Sequence, residues 1–281
     1  MTIKWKTDEN SRRTHVHKTG AVSWLTFAPL EKEEAWLEHY FSTREGGVSE
    51  GWLSSMNLSF TQEPDEQGEK NVRENFCRFA EGCGFSMDDV VMSDQTHTTN
   101  VVHVTDADKG RGWSRDKDWK DVDGFITDTP GVILSTFYAD CVPLFFADPV
   151  HKAIGLSHSG WKGTVGQIGR ITLEKMNAAF GTQPEDVIVV IGPSICVDCY
   201  EVSEDVAGHF PAECLIAKGG GKYQLDLWKA NELILLKAGI RQEHLMTPDI
   251  CTACNMDFLY SHRASGGRRG NLGAFLGIRK D

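Results

Sequence analysis

The chain has 281 residues, 40% of them hydrophobic, enough for a sizeable buried core and too many for a disordered polypeptide. Forty acidic against 29 basic residues give a net charge of −11, which disfavours nucleic acid and anionic membranes as partners. No apolar run approaches the ~20 residues of a bilayer span, and the polar opening MTIKWKTDENSRRTHVHK lacks the apolar core of a secretory signal, so the cytoplasm is the expected location. The eight cysteines then read as buried thiols, ligands or a nucleophile before they read as disulfides.

Residues 1–20 are charged and weakly patterned, which suggests a loose lead-in before a single domain over 21–281. A strand is expected from Val22 to Phe27, stopped by Pro29, then helical content from Leu30 to Tyr40. A strand from His39 runs through Phe41-Ser42-Thr43-Arg44 into the turn Gly46-Gly47. Arg44 at that strand end offers a guanidinium preorganised for phosphate, although a surface arginine capping the turn explains it as well. Val72, Phe76, Phe79 and Ala80 recur at helical spacing within a helix over Asp65–Cys83. Short strands at Val90–Met92 and Val101–Val104 enclose the polar loop Asp94–Asn100, which carries His97. The charged stretch Asp106–Lys120 reads as a mobile insertion near the site.

The centre of the chain is DVDGFITDTPGVILSTFYADCVPLFFADPVHKAIGLSHSGWKGT, residues 121–164. Strands over Val132–Tyr138 and Leu144–Ala147 flank Asp140-Cys141-Val142-Pro143, and a strand over Ala153–Ser157 delivers His158 to a glycine-rich turn. Thr164 is the expected N-cap of a helix carrying Ile168, Leu173 and Met176 and closed by Gly181. A strand over Val187–Ile191, a helical segment opening at Cys196, a strand over Tyr223–Leu227, a helix over Trp228–Gly239 and a last strand over Leu272–Ile278 complete the pattern. Strands outnumber helices in mixed order, which favours an α+β (mixed α/β) domain with mixed sheets flanked by helices.

Three groups carry chemistry. His97, Cys141 and His158 offer two imidazoles and a thiolate, a donor set suited to zinc with a fourth position left open, and one that copper also accepts. The same residues fit a Cys141 nucleophile with a histidine base, or a buried cysteine beside two structural histidines. Second, Ser159-Gly160-Trp161-Lys162-Gly163-Thr164 enters a helix, so its free N–H groups and Lys162 form an anion-binding candidate, against the commoner tight turn. Third, Cys196-x-x-Cys199 and Cys251-x-x-Cys254 have the pairing of a four-cysteine zinc site, but the stretch between them far exceeds a compact zinc-ribbon spacing, so ordinary reduced thiols are expected.

Phe41-Ser42-Thr43-Arg44, Gly46-Gly47-Val48-Ser49, Asn57-Leu58, Gln95-Thr96-His97, Ala139-Asp140-Cys141-Val142-Pro143 and His158–Thr164 resemble the laccase-domain (YfiH-like) family. Ile191-Gly192-Pro193, Cys199-Tyr200-Glu201-Val202 and Cys251-Thr252-x-Cys254 continue the resemblance, which spans about residue 39 to the C-terminus. It implies a cysteine-hydrolase-like mixed α/β fold and zinc-dependent phosphorolysis of adenosine, inosine and methylthioadenosine, with adenosine deamination. It also implies that His97, Cys141 and His158 hold the metal. In that reading Arg44, Lys162, Asn57 and Arg263 are the phosphate and substrate contacts, and Glu201 or Asp140 handles protons, unless Asp140 only orients the turn before Cys141.

The alternatives are a copper polyphenol oxidase and a cysteine hydrolase, including a peptidoglycan-precursor editing amidase, with Cys141 as nucleophile. A multicopper site needs paired histidine clusters, and the chain has only His15-x-His17. Three departures bear on the substrate end: Ser194 stands where the family has cysteine, Arg263-Ala264 where it has two arginines, and Gly270-Asn271 where it has Gly-Arg.

Overall fold

A computed structural model describes residues 2–280. In chain order the strands are β1 (Thr14–Thr19), β2 (Val22–Phe27), β3 (Leu37–Ser42), β4 (Val90–Met92), β5 (Val101–His103), β6 (Gly124–Thr127), β7 (Ile133–Tyr138) and β8 (Val142–Asp148). They continue as β9 (Ala153–Ser159), β10 (Ile188–Ile191), β11 (Glu201–Ser203), β12 (Leu215–Gly219), β13 (Lys222–Leu225), β14 (Leu245–Met246) and β15 (Leu272–Ile278). The α-helices are α1 (Ala28–Glu31), α2 (Glu66–Cys83), α3 (Trp161–Val165), α4 (Ile168–Phe180), α5 (Glu204–Ala207) and α6 (Leu227–Lys237).

Two six-stranded mixed sheets form a single α/β domain, one in the order β1-β2-β3-β15-β7-β4, the other β14-β10-β8-β9-β6-β5. A three-stranded sheet, β11-β13-β12, stands beside them. Alternate side chains sort the layers. Leu134, Ala274 and Leu276 of the first sheet meet Phe145, Ala147, Ile154 and Leu156 of the second in one core. Ile133 and Phe275 point the other way, onto Val72, Phe76 and Phe79 of α2. Leu144, Phe146 and Val189 face Leu173 and Met176 of α4 and Leu235 of α6. Both faces of each sheet are therefore covered at its centre, while the edge strand β1 stays largely exposed. That explains why β7, β8 and β15 read as nearly unbroken apolar runs instead of alternating ones. Each fully buried Phe or Leu in these layers stabilises the fold by about 1.5–3 kcal/mol.

Several expectations hold: β2, β4 and β15 have the boundaries read from the sequence, and α2 follows Asp65, whose carboxylate caps the Gly68 N–H at 2.7 Å. Others are corrected. Residues 14–19, placed in a loose lead-in, form β1, which pairs along its whole length with β2. Leu30–Tyr40 is helical only as far as Glu31, because Leu37 already enters the sheet opposite Ile278. Thr164 is not a helix N-cap. It lies inside α3, its hydroxyl bonded to the Gly160 carbonyl, while α4 starts separately after Gln167 in the left-handed region. The segment after Cys196 is a 3₁₀ turn followed by β11, because Glu201–Ser203 find partners in β13. No described helix is long and apolar enough to cross a membrane.

Candidate functional site

Connections that cross from one large sheet to the other converge at one end of the domain. His97 lies on the crossing from β4 to β5, and Cys141 on the crossing from β7 to β8. Cys141 immediately precedes β8, and His158 sits in β9 directly opposite Pro143 of β8. Strand pairing therefore brings the cysteine and the second histidine together. His158 belongs to the strand itself, which runs two residues further than the sequence suggested, to Ser159.

The ligand atoms of His97, Cys141 and His158 all lie within 4.8 Å of one another. Cys141 Sγ is 3.8 Å from His97 Nε2, and the two imidazoles meet edge to face at 4.9 Å. His158 is buried and Cys141 partly so, while His97 is exposed toward the cavity, leaving one side of the group open. Gly160 backs onto the other side: a Cβ there would stand 2.8 Å from His97 Cδ2 and 3.1 Å from Cys141 Sγ.

Asp123 organises this group, and the sequence reading missed it. Its fully buried carboxylate accepts the His158 Nδ1–H at 2.8 Å, which leaves Nε2 directed at the other two ligands. It also accepts the backbone N–H groups of Thr96, His97 and Thr98 at 3.1, 3.0 and 2.8 Å and the Thr98 hydroxyl at 2.8 Å. Successive N–H groups folded around an anion form a nest, and this one fixes the His97 loop to the same carboxylate that orients His158. Burial by itself would raise the Asp123 pKa, but the His158 and Thr98 hydrogen bonds outweigh it and hold the group at about 2. Burial likewise opposes charge on Cys141 and His158, yet their mutual attraction lowers the thiol to about 6 and raises the imidazole to about 9. His97 (φ 66°) and Asp140 (φ 85°) both hold left-handed backbone conformations, strain of order 1–3 kcal/mol each that such ligand turns carry.

The group opens into a cavity of about 1010 Å³. Trp161, Tyr200, Phe60, Trp113 and Phe137 supply aromatic walls, and Arg73, Arg115, Lys117, Arg263 and Arg269 supply cations. The Asp106–Lys120 stretch contributes residues 112–117, as its expected position near the site implied. It is pinned there by Lys117 Nζ on the Ser93 carbonyl at 3.0 Å.

The remaining expected site residues divide. Arg263 lines the cavity, lies 5.0 Å over the Tyr200 ring and donates to the Glu201 carbonyl at 2.6 Å. Asp140 also lines it, but its oxygens accept from Thr252 Oγ1 at 2.6 Å and Arg263 N–H at 2.7 Å. These two bonds tie Asp140 to the Thr252 and Arg263 segments and hold the turn before Cys141. Glu201 is an exposed strand residue outside the cavity lining. Arg44 is committed elsewhere: it donates to the Ser54 and Met256 carbonyls and lies over Tyr260. Lys162 is exposed beside Trp161, also off the cavity lining, and the glycine-rich turn opens the five-residue α3 with Gly160 packed close against the triad. Asn57 is fully buried, bonded to Ser59, Glu63 and the Asn271 N–H, and acts as a structural hub.

Arg269, like Arg73, Arg115 and Lys117, is a cavity cation that the sequence did not single out. The Gly270-Asn271 departure leaves no arginine at 271, but Arg269 reaches the same wall and donates to Asn271 Oδ1. Its buried Nε has no partner among the described residues, so one donor remains free.

Residues 38–279 match the sequence pattern of the multi-copper polyphenol oxidoreductase laccase family. This chain belongs to that family. Within it, the chain is 36% identical over 248 residues to "Purine nucleoside phosphorylase YlmD" of Bacillus subtilis, covering 85% of this chain and 88% of that one. It is 38% identical over 245 residues to "Purine nucleoside phosphorylase" of Deinococcus radiodurans, covering 86% and 89%. Among solved structures it superposes on the YfiH protein of Bacillus licheniformis with TM-score 0.87 at 30% identity, covering 94% of this chain and 99% of that one. YlmD of Geobacillus stearothermophilus gives 0.85 at 32%, covering 94% and 98%. The laccase-domain resemblance and the mixed α/β fold read from the sequence are thereby shown.

Proposed function

We propose that this member of the laccase family is a metal-dependent purine nucleoside phosphorylase acting on adenosine, inosine and methylthioadenosine, and that it also deaminates adenosine. The observation that carries the reading is one cavity joining the His97–Cys141–His158 group to aromatic walls and to the guanidiniums of Arg263 and Arg269. The volume accommodates a nucleoside with phosphate beside it. The names of the relatives support the same reaction class.

The donor set fits zinc: two imidazoles, one thiolate, an open side toward the cavity and a glycine where a Cβ would intrude. Copper accepts the same donors. When bound, zinc supplies a Lewis acid facing the cavity. The chain's own residues do the rest. In phosphorolysis an oxygen of hydrogenphosphate bonds to C1′ of the ribose as the C1′–N bond to the purine breaks, and the proton that the phosphate gives up ends on the leaving base. Arg263 and Arg269 balance the phosphate charge from the cavity wall. Trp161 and Tyr200 offer faces on which the base stacks, and the Thr96–Thr98 nest keeps His97 and His158 aligned through Asp123.

The test is elemental analysis of wild-type and Cys141→Ala protein, paired with adenosine turnover with and without phosphate. Loss of one metal per chain together with phosphate-dependent release of adenine is the expected result; phosphorolysis retained in Cys141→Ala would sink the reading. Inosine formed without phosphate reports the deaminase activity.

A second reading rests on the Cys141–His158–Asp123 relay, which is also the arrangement of a cysteine hydrolase: a depressed thiol, a histidine and an orienting carboxylate. Turnover in metal-free protein, abolished by alkylation of Cys141, would favour it. The copper oxidase reading has less support, because the triad is the one histidine-containing group of three potential ligands among the described residues. His15 and His17 instead pair with Glu31 and Thr26.

A further inference from the structure

We propose that Cys196, Cys199, Cys251 and Cys254 form a closed tetrathiolate site that holds a structural zinc ion behind the catalytic turn. The four side chains were expected to be separate reduced thiols, because about 50 residues divide the two pairs. The fold removes that separation. Ser194 and Cys251 form a parallel bridge, Thr252 N–H donates to the Ser194 carbonyl at 3.1 Å, and the two Cys-x-x-Cys turns face each other.

All four sulfurs lie within 4.8 Å of one another, and Cys199 Sγ is 3.5 Å from Cys254 Sγ. Zinc–sulfur bonds of about 2.3 Å in a tetrahedron place neighbouring sulfurs roughly 3.8 Å apart, so the group needs only small adjustment to close on an ion. All four are free thiols.

Three further features suit thiolates. Cys196 N–H donates to Cys251 Sγ at 3.2 Å, the kind of hydrogen bond that steadies a ligating sulfur. The Lys6 ammonium lies against Cys196 while donating to Asp198 at 3.0 Å, and so places a cation beside a complex whose net charge would be −2. Cys196 and Cys251 are 2% and 0% exposed and Cys199 and Cys254 are half-buried, and four sulfurs would fill a tetrahedral coordination shell. A four-sulfur, closed set is the pattern of structural zinc, in contrast to the three-ligand triad that opens on the cavity. Binding converts four thiols and one zinc ion into the tetrathiolate complex and four released protons.

The location gives the ion a task. Ile195 N–H donates to the Asp140 carbonyl at 3.0 Å, and Thr252 Oγ1 donates to its carboxylate at 2.6 Å. Each contact comes from a residue adjacent to one of the four cysteines. An ion that joins the two turns therefore clamps Asp140, and through it the loop that presents Cys141. This inference does not depend on what the triad binds.

The test separates the two centres. A His97→Ala/Cys141→Ala protein, expressed with zinc and purified under reductant, is expected to retain one zinc per chain, with X-ray absorption showing four sulfurs at about 2.3 Å. Cys199→Ser/Cys254→Ser in an otherwise wild-type chain is expected to lose one metal equivalent and to unfold at lower temperature. A folded triad-free protein without metal would overturn the proposal, as would a shell with fewer than four sulfurs or iron in place of zinc. Alkylation mass spectrometry that finds the four cysteines joined as disulfides in the reduced preparation would overturn it as well. Should the serine variant fail to fold, the sulfur count in the triad-free protein decides alone.

Discussion

At the scale of single residues, the site turns on Asp123. His97, Cys141 and His158 were legible because their chemistry is suggestive and their local motifs resemble a known family. Asp123 was not, because nothing in Asp121-Val122-Asp123-Gly124 distinguishes one aspartate from its neighbour until the fold places its carboxylate under both histidines. The signal available was general: a ligating histidine almost always donates its other N–H to a carboxylate, a backbone carbonyl or water. Asp123→Asn keeps the shape but offers an amide that cannot accept from His158 and from three backbone N–H groups at once. Metal affinity at the triad is expected to fall about 10- to 100-fold, with turnover falling in parallel, as measured by competition with a chromophoric chelator. Unchanged affinity would show that His158 is oriented by other means. The same scale shows what binds the other motif residues: Arg44 Nε and Nη1 donate to the Ser54 and Met256 carbonyls, and the Asn57 amide donates to the Ser59 carbonyl and the Glu63 carboxylate.

At the scale of elements, α2, β2, β4 and β15 were legible because helical spacing, a capping aspartate or an uninterrupted apolar run marks each one. β1, β6, β12 and β14 were not: they are polar or very short, and they exist through pairing with distant partners, as when Leu245 and Met246 line up with Val189 and Val190. The turn between β9 and α3 shows the same dependence on context. Gly160 has φ −68° and ψ 175°, a conformation open to any residue, so its requirement is one of space. Gly160→Ala is therefore a steric probe of the triad. Its methyl group would press on His97 and Cys141 while leaving the strands intact. The variant is expected to melt within a few degrees of wild type while metal affinity and turnover fall at least about tenfold. Wild-type metal binding in Gly160→Ala would mean that the ligands have room to move.

At the scale of the whole molecule, two sheets packed face to face bury titratable groups away from the cavity, and these make stability depend on pH. His39 in β3 is the clearest. It is 5% exposed, its Nε2 accepts the Phe27 N–H at 2.8 Å, and its ring stacks on Phe27 at 5.6 Å. Burial drives its pKa down to about 3; Glu31 opposes that shift, while His17 and Arg279 add to it. The folded protein therefore keeps this imidazole neutral where the unfolded chain, titrating near 6.5, takes up a proton. Stability from His39 is complete above about pH 6.5 and is lost as the pH falls toward 3, at up to about 1.4 kcal/mol per unit. Between pH 6.5 and 4.5 that loss amounts to roughly 2 kcal/mol, ahead of the range in which most carboxylates titrate. His39→Gln retains an acceptor for the Phe27 N–H but has no proton to gain. Urea unfolding of the two proteins across this range is expected to show wild type losing about 2 kcal/mol more than the variant. Parallel pH profiles would place the acid sensitivity elsewhere in the fold.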